Sequence, residues 1–338
     1  MAEILDLMIN TVKQLEFDLS SNCNAQCPQC PREQPSIKQL LENKTQEVTL
    51  ENVKDWFSSE FLGNLEKVIF KGSFSDPMMA KEIYEIVEYF VNNTAAQIDI
   101  HTNGSSRKPE FWKNLGNLLQ HRGQVVFGLD GLEDTHAIYR VNTNFNKIIE
   151  NATAFIAAGG YAIWQFIIFK HNEHQIEAAK QLANSLKFKE FFLVASVGFE
   201  DKDSITINKK KQVLEKTEKY NTPSWAEIKK NFKNIENVTC KSKQLGWIVV
   251  DFEGEVFPCC MTQVWKKSII NMKIDSQIWY KKVLKNPDDT NLHKNSLDNI
   301  LSIFNEFYNN LNKKYIPGTC AYKCGNNKLP DYKKHIVF

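Results

Sequence analysis

Three cysteines close to the start of the chain have a spacing suited to metal–sulfur chemistry. Cys23, Cys27 and Cys30 follow one another as C-x3-C-x2-C. Three thiolates on a short loop can each bind one iron of a four-iron cluster, which leaves the fourth iron without a protein ligand. At catalytic metal sites such an open position is where a substrate or cofactor binds. The triplet therefore predicts a [4Fe-4S] cluster with one open iron, and the alternatives are a zinc site and uncoordinated thiols.

A second group of cysteines follows a long interval that contains none. Its members are Cys240, Cys259, Cys260, Cys320 and Cys324. In a reducing cytoplasm, clustered cysteines bind metal or do redox chemistry more often than they form structural disulfides. Four cysteines in two pairs would suit a second cluster or a structural zinc ion. The two groups together predict two separate metal centres.

The elements that must position these thiols alternate between strand and helix. Short apolar segments rich in β-branched and aromatic residues predict buried strands at 15–19, 68–70, 98–100, 125–129, 163–169 and 191–195. Apolar residues at helical spacing predict helices near 83–91, 111–119, 148–156 and 176–186. Successive βα units imply an α/β fold with a parallel sheet, and we expect a partial (β/α)6 TIM-like barrel.

With its cysteine triplet directly after the first of these strands, the chain resembles the radical S-adenosylmethionine (SAM, or AdoMet) superfamily. The resemblance implies that Cys23, Cys27 and Cys30 hold the catalytic [4Fe-4S] cluster and that its open iron chelates the methionine end of SAM. It also implies reductive cleavage of SAM to a 5′-deoxyadenosyl radical, which abstracts hydrogen from a substrate. An external electron donor such as flavodoxin or ferredoxin would reduce the cluster.

Segments at the ends of later strands carry the same resemblance. The stretch from Gly72 to Pro77 is similar to the family's glycine-rich SAM-binding motif, although the usual Gly-Gly-Glu-Pro is altered. The resemblance implies SAM or substrate contacts at Gly72, Ser73, Asp76, Asn103, Ser105, Asp130, Arg140, Gln165 and Lys170. Arg140 suits the SAM carboxylate because a planar guanidinium matches its geometry, and a surface salt bridge is the alternative. Gln29 stands where many relatives have an aromatic residue, which leaves the adenine contact open.

The C-terminal cysteines resemble those of SPASM and twitch extensions, which hold auxiliary iron–sulfur clusters. The spacing from Gly254 to Cys259, across a predicted hairpin, carries this likeness. A full SPASM domain has more cysteines than the five in this part of the chain, so the resemblance implies one auxiliary [4Fe-4S] cluster. Its ligands would be Cys240, Cys259, Cys320 and Cys324, with Cys260 as the extra thiol.

The changes in composition along the chain predict three parts. We expect a radical SAM partial barrel at 1–200, a polar helical linker at 201–238 and a small α+β twitch/SPASM-like domain at 239–338. Within the last part, the sequence predicts the hairpin and helices near 277–284 and 297–311.

Charge and hydropathy narrow the range of partners. The chain has 42 basic and 40 acidic residues, a net charge of +2, so we expect neither nucleic acid nor a membrane as a partner. It has no signal peptide pattern and no apolar stretch of about 18 residues, so we expect a cytoplasmic protein. The substrate is expected to be a small molecule or a peptide. The alternative function is a non-catalytic iron–sulfur or zinc protein that senses redox state.

Overall fold

The structure is a computed structural model that describes residues 8–33, 35–41, 45–196, 202–207, 210–215, 217, 238–268, 286–310, 320, 324 and 335–336. The chain forms two compact units that alternate along the sequence. Unit 1 comprises Met1–Asn22, Gln34–Ile98 and Phe232–Leu329. Unit 2 comprises Cys23–Glu33, Asp99–Asn231 and Pro330–Phe338.

The strands and helices follow one another in regular alternation through the first two thirds of the chain. The strands are β1 (Gln14–Phe17), β2 (Lys67–Phe70), β3 (Gln97–Thr102), β4 (Gly123–Gly128), β5 (Tyr161–Ile168), β6 (Glu190–Ala195), β7 (Lys202–Ile207), β8 (Lys210–Glu215), β9 (Trp247–Val250), β10 (Val256–Phe257) and β11 (His335–Ile336). The α-helices are α1 (Pro35–Leu41), α2 (Leu50–Trp56), α3 (Ser59–Asn64), α4 (Ile83–Asn93), α5 (Pro109–Leu119), α6 (His136–Tyr139), α7 (Phe145–Ala157), α8 (Ile176–Ser185), α9 (Lys241–Gln244), α10 (Cys260–Ser268) and α11 (Leu297–Asn310).

Unit 1 contains the sheet segment β10-β9-β1-β2. β1 is parallel both to β2, with Leu15 opposite Val68, and to β9, with Glu16 opposite Val249. Phe17 is fully buried and packs edge-on against Phe57, which follows α2. Because side chains alternate along a strand, Glu16 and Asp18 lie on the face opposite Phe17.

Unit 2 contains the sheet segment β3-β4-β5-β6-β11. β4, β5 and β6 are parallel neighbours, and β11 pairs with β6 in the antiparallel direction. An aromatic core fills the helix side of these strands. Trp164 contacts Phe188 and Phe191, and Phe127 contacts Trp112 of α5 at a ring-centroid distance of 5.2 Å.

The sequence-based fold class is confirmed in its main feature, a parallel α/β sheet of the partial TIM-like barrel type. Each of the six predicted strands and each of the four predicted helices of the first two hundred residues is present. The predicted hairpin is β9 with β10, and the predicted helix at 297–311 is α11. The predicted helix at 277–284 lies outside the described residues.

Two features differ from the expected three-part division. The hairpin predicted for a separate C-terminal domain adds its strand β9 to the edge of the main sheet, beside β1. Its apolar sequence, Trp-Ile-Val-Val, suits a strand buried on both faces. In addition, residues predicted as a helical linker form the antiparallel hairpin of β7 and β8. The alternation of polar and β-branched residues from Ser204 to Ile207 explains this pairing, since it favours strand over helix. Much of the remaining linker lies outside the described residues.

Among the described helices, none has both the length and the apolar character needed to cross a bilayer.

Candidate active site

The cysteine triplet lies in unit 2, on the loop that follows β1. Cys27 is buried, and Cys23 and Cys30 are half-buried. The thiols pack with Ala25, Tyr139 and other apolar side chains. The loop is turned by a hydrogen bond of 2.9 Å from the Cys30 N–H to the Cys27 carbonyl oxygen.

These surroundings suit a positively charged metal group. Burial, together with the charge of Cys27, raises the pKa of the Cys30 thiol to about 11. Burial likewise raises the pKa of Cys27. Buried thiols of this kind lose their protons when a bound metal compensates the charge of the thiolates. A donor set of three thiols on one loop fits iron–sulfur ligation.

Arg140 lies next to the triplet, in a buried ion pair with Asp130. The Arg140 Nε donates a hydrogen bond of 2.6 Å to Asp130 Oδ2, and Arg140 Nη1 is 3.8 Å from Cys27 Sγ. The Asp130 side chain is 0% exposed and that of Arg140 16%, so the surface salt bridge considered for Arg140 is excluded. Burial opposes the charge of Arg140, but Asp130 and Cys27 outweigh it and hold its pKa above the usual value. The triplet therefore has a permanent cation beside one thiol.

Two backbone features allow Arg140 to lie this close to Cys27 and Asp130. A Cβ atom on Gly128 would lie 2.6 Å from Arg140 Nη2, so a larger residue at the end of β4 would displace the guanidinium from its observed position. The second oxygen of Asp130, Oδ1, accepts a 2.6 Å hydrogen bond from the N–H of Ile167 in β5. Asp130 is thus fixed between a strand backbone and Arg140.

His136 supports the same ion pair, although the sequence analysis did not assign it to the site. The Asp130 N–H donates to His136 Nδ1 at 3.2 Å, so His136 Nε2 carries the proton and donates to Thr143 Oγ1 at 2.9 Å. The Thr143 hydroxyl in turn donates to the Arg140 carbonyl oxygen. Burial, aided by the charge of Arg140, lowers the pKa of His136 to about 3. The ring is therefore neutral near pH 7. In the sequence, the available signal for His136 was its position between the predicted site residues Asp130 and Arg140.

Predicted residues at the end of β3 form a hydrogen-bonded chain with the cysteine loop. Asn103 Nδ2 donates to Asn24 Oδ1 at 2.8 Å, and Asn24 Nδ2 donates to Ser105 Oγ at 2.7 Å. Asn103 Nδ2 also lies 4.0 Å from Cys23 Sγ. Asn24, inside the triplet, was missed because its side chain has no distinctive spacing. Asn103 and Ser105 thus reach the loop where SAM is expected.

Gln165 and Lys170 have other surroundings. Gln165 is half-buried in β5, and its carbonyl oxygen accepts a hydrogen bond from Leu129. Lys170 is exposed, and its Nζ forms an ion pair of 3.2 Å with Glu215 Oε2 in β8. Lys170 therefore has a protein partner where the sequence predicted SAM or substrate.

The glycine-rich stretch lies in unit 1, immediately after β2. A Cβ atom on Gly72 would come within 2.2 Å of the Ser75 carbonyl oxygen, so the tight turn requires glycine. The N–H of Ser73 donates to Asp18 Oδ2 at 3.2 Å. Asp76 Oδ1 accepts from the Met78 N–H at 3.0 Å and caps a short 3-10 helix. These contacts give Ser73 and Asp76 structural roles, and SAM binding by Gly72, Ser73 and Asp76 stays a prediction.

Four of the C-terminal cysteines come together in unit 1. Burial and the neighbouring charges of Cys259, Cys240 and Cys324 raise the pKa of the Cys320 thiol. Burial also raises the pKa of the Cys259 thiol to about 11. A hydrogen bond from the Thr262 N–H to this thiol opposes the rise, and the charge of Cys240 adds to it. The four thiols are therefore electrostatic neighbours, as the expected auxiliary centre requires.

Cys260 has a different environment from Cys259, although the two are adjacent in sequence. Burial raises the pKa of Cys260 to about 12, with the charge of Glu16 adding to the rise and that of Lys71 opposing it. The Cys260 thiol therefore lies beside the Glu16–Lys71 pair. Cys259 as the ligand stays a prediction.

No protein-family profile matches the sequence, and no curated protein matches it. Solved structures do match. The structure of anSMEcpe with bound AdoMet is 14% identical, with a TM-score of 0.51 over 88% of this chain and 96% of that chain. The chain shares its fold, a parallel α/β sheet of the partial TIM-like barrel type, with this structure. The structure of anSMEcpe with AdoMet and the Kp18Cys peptide is similar at 14% identity and a TM-score of 0.50, over the same shares of the two chains.

The SuiB structure from Streptococcus suis also matches, at 14% identity and a TM-score of 0.49 over 77% of this chain. This chain spans 62% of the length of SuiB.

Proposed function

We propose that the protein is a radical SAM enzyme whose catalytic cluster is held by Cys23, Cys27 and Cys30. The observation that carries the proposal is the triplet itself, three buried or half-buried thiols on one loop with Arg140 3.8 Å from Cys27. The fold supports it, because the anSMEcpe structure, which has the same fold, contains AdoMet. When bound, the cluster would supply an electron to SAM and so generate the 5′-deoxyadenosyl radical.

The residues around the triplet have separate tasks in this proposal. Arg140 places a fixed positive charge beside the Cys27 thiolate, which stabilises the deprotonated ligand. Asp130 holds the guanidinium in that position, and neutral His136 fixes the Asp130 backbone without adding charge. Apolar neighbours such as Tyr139 exclude water from the thiols, which strengthens the local electrostatic interactions.

For SAM itself, we propose contacts at the polar residues that follow the strands. Asn103 and Ser105 are supported by their hydrogen-bonded link to the cysteine loop through Asn24. The other proposed contacts are Gly72, Ser73, Asp76, Asp130, Arg140, Gln165 and Lys170. Arg140 Nε already binds Asp130, so the other guanidinium nitrogens would bind the SAM carboxylate.

We further propose that Cys240, Cys259, Cys320 and Cys324 hold one auxiliary [4Fe-4S] cluster. Their mutual proximity and burial support this set. Four protein ligands leave no iron open to substrate, so electron transfer or a structural role follows. A zinc ion on the same thiols is the alternative, which metal analysis of anaerobically purified protein would reveal.

The proposed substrate is a peptide, and a small molecule is the alternative. The support for a peptide is the anSMEcpe structure, which has the same fold and contains the Kp18Cys peptide with AdoMet. We propose a flavodoxin or ferredoxin as the electron donor, because the cluster must be reduced for each SAM cleavage.

The deciding experiment is anaerobic reconstitution with iron and sulfide, followed by addition of SAM and dithionite. We expect 5′-deoxyadenosine, measured by liquid chromatography and mass spectrometry, from the wild type and from Ser185→Ala. Ser185 is exposed on α8 and its substitution removes one heavy atom, as Cys27→Ala does. Cys27→Ala should yield none. If the wild type yields none although its iron is loaded, the redox-sensor alternative replaces the enzyme.

A further inference from the structure

Unit 1 contains a group of buried polar side chains that neither cysteine site uses. Glu16 is 2% exposed, Asp18 1% and Gln263 0%. Glu16 and Asp18 are two residues apart along β1 and its continuation, so they lie on the same face of the sheet. Buried polar side chains are normally hydrogen-bonded, so each polar atom of this group should have a partner.

Helix α10 contacts this group through a side-chain hydrogen bond. Gln263 Nε2 donates to Asp18 Oδ2 at 3.3 Å, which joins the helix to the strand. Cys260 is one helical turn before Gln263 and therefore lies on the same helix face. Its thiol is beside Glu16 and Lys71, as described above. Each acidic residue of the strand therefore has a neighbour on the helix. Glu16 lies near Cys260, and Asp18 is hydrogen-bonded to Gln263.

Two oxygen atoms in this group lack the donors that their burial demands. Within the part of the chain that the structure describes, Glu16 Oε1 and Gln263 Oε1 are buried and accept no hydrogen bond. The nearest charged group, Lys71 Nζ, is 3.9 Å from Glu16 Oε1, which exceeds hydrogen-bond distance. Unmade hydrogen bonds at buried acceptors are costly, so both oxygens favour a ligand that donates.

The charges of the group indicate the sign of that ligand. Glu16 and Asp18 are two carboxyl groups, and Lys71 is one cation whose side chain is 41% exposed. Burial raises the pKa of Glu16 and the charge of Lys71 opposes this rise, so a bound cation would further favour the ionised carboxylate. The two buried carboxylates would repel an anionic ligand. An apolar ligand would leave Glu16 Oε1 and Gln263 Oε1 without hydrogen bonds. A ligand with one positive charge and several N–H donors would neutralise the group and satisfy the acceptors.

We propose that Glu16 and Gln263, with Asp18 and Cys260 beside them, form a binding subsite for a protonated primary amine. That this amine belongs to the substrate rests on the proposed function. In that case the substrate class narrows to amine-bearing molecules, which include peptides with a lysine side chain or a free amino terminus. Glu16 and Gln263 are then the residues that determine specificity.

The test uses ligands that separate charge from hydrogen bonding. The full-length, reconstituted protein is titrated with n-butylammonium, n-butyltrimethylammonium and n-butanol, and binding is measured by calorimetry and by the shift in melting temperature. We expect saturable binding of n-butylammonium alone. Because hydrogen bonds to charged groups are strong, Glu16→Gln should weaken that binding by about 10- to 100-fold.

The control is Glu66→Gln, which changes an exposed carboxylate of the same unit and should leave n-butylammonium binding unchanged. Equal binding of n-butylammonium and n-butanol by the wild type would overturn the proposal, and so would equal binding of the trimethylated cation. These wild-type comparisons hold even if Glu16→Gln fails to fold. None of them requires SAM cleavage, so failure of this subsite and failure of the proposed enzyme are separate results.

Discussion

The two cysteine groups differ in what surrounds them. The N-terminal triplet has three thiols and a cation, Arg140, 3.8 Å from Cys27 Sγ. The C-terminal group has four thiols and hydroxyl neighbours, with Thr262 Oγ1 3.8 Å from Cys259 Sγ. Tyr308 lies beside the second group as well, and burial together with Cys240 and Cys259 raises its pKa. The contrast shows how one ligand type can serve two purposes. An incomplete ligand set with a fixed charge suits a reactive centre, and a complete set among neutral groups suits a closed one.

The largest expected effect separates the two groups directly. Cys23→Ala should abolish 5′-deoxyadenosine formation, because it removes one of the three ligands proposed for the catalytic cluster. Cys324→Ala should retain part of this SAM cleavage without coupling it to substrate. Both are measured as 5′-deoxyadenosine per protein under anaerobic conditions. Complete retention of substrate turnover in Cys324→Ala would contradict an auxiliary role for the second group.

A second prediction concerns the buried ion pair at the triplet. Asp130→Asn should lower the free energy of unfolding by about 3–5 kcal/mol, because it leaves the Arg140 charge buried without its partner. Denaturant titration of the protein measures this change. The matched control is Asp288→Asn, which breaks an exposed ion pair of 2.6 Å with Lys294 and should cost at most about 1 kcal/mol. Similar losses in both variants would mean that Asp130 and Arg140 are effectively solvated.

The third prediction is a pH dependence that arises from His136. The unfolded chain binds a proton there below pH 6.5, whereas in the folded protein the pKa is about 3. Stability should therefore fall as the pH falls through this window, by about 2–3 kcal/mol for a decrease of roughly two pH units. In His136→Gln this part of the acid sensitivity should disappear. Unfolding free energies of the two proteins near neutral and mildly acidic pH provide the test, and parallel pH profiles would be the contrary result.

The smallest expected effect is at the second group. Thr262→Val removes a hydroxyl that accepts from the Cys259 N–H at 3.2 Å, and it should cost about 1 kcal/mol of unfolding free energy. Iron content should be retained, because the four thiols remain. Thr217→Val, which alters a hydroxyl bound to Glu173, is a control at another hydroxyl–acceptor pair. Loss of half the iron in Thr262→Val alone would show that this hydroxyl is essential to the second group.

The sequence predicted the strands and helices of the fold better than it predicted which strands pair. Strands such as β4 and helices such as α7 have local periodicity, and the residues that produce it are adjacent in the chain. The pairing of β9 with β1 joins segments that are far apart in the sequence, which periodicity cannot reveal. The β7–β8 hairpin was missed because the Lys-rich composition of the region masked a short alternating pattern.

The same limit applies to the candidate site. Spacing alone predicted the three-thiol loop, since all three ligands lie within eight residues. Spacing could not show that Arg140 would be bound by Asp130, nor that Cys260 would lie beside Glu16 and Lys71. Those outcomes depend on which strand ends meet, and they follow only from the three-dimensional arrangement.

The parallel pairing of β9 with β1 also has a consequence for biosynthesis. The ribosome completes β1 early, but the strand that covers its open edge emerges only after residues 247–250 have been made. Until then, one side of β1 exposes unpaired N–H and carbonyl groups that can pair with other nascent chains. Late closure of this kind slows folding, because distant segments must meet before the sheet is complete. A message truncated before residue 247 should therefore yield an aggregation-prone product, even though the cysteine triplet and all the strands of unit 2 up to β8 would be present.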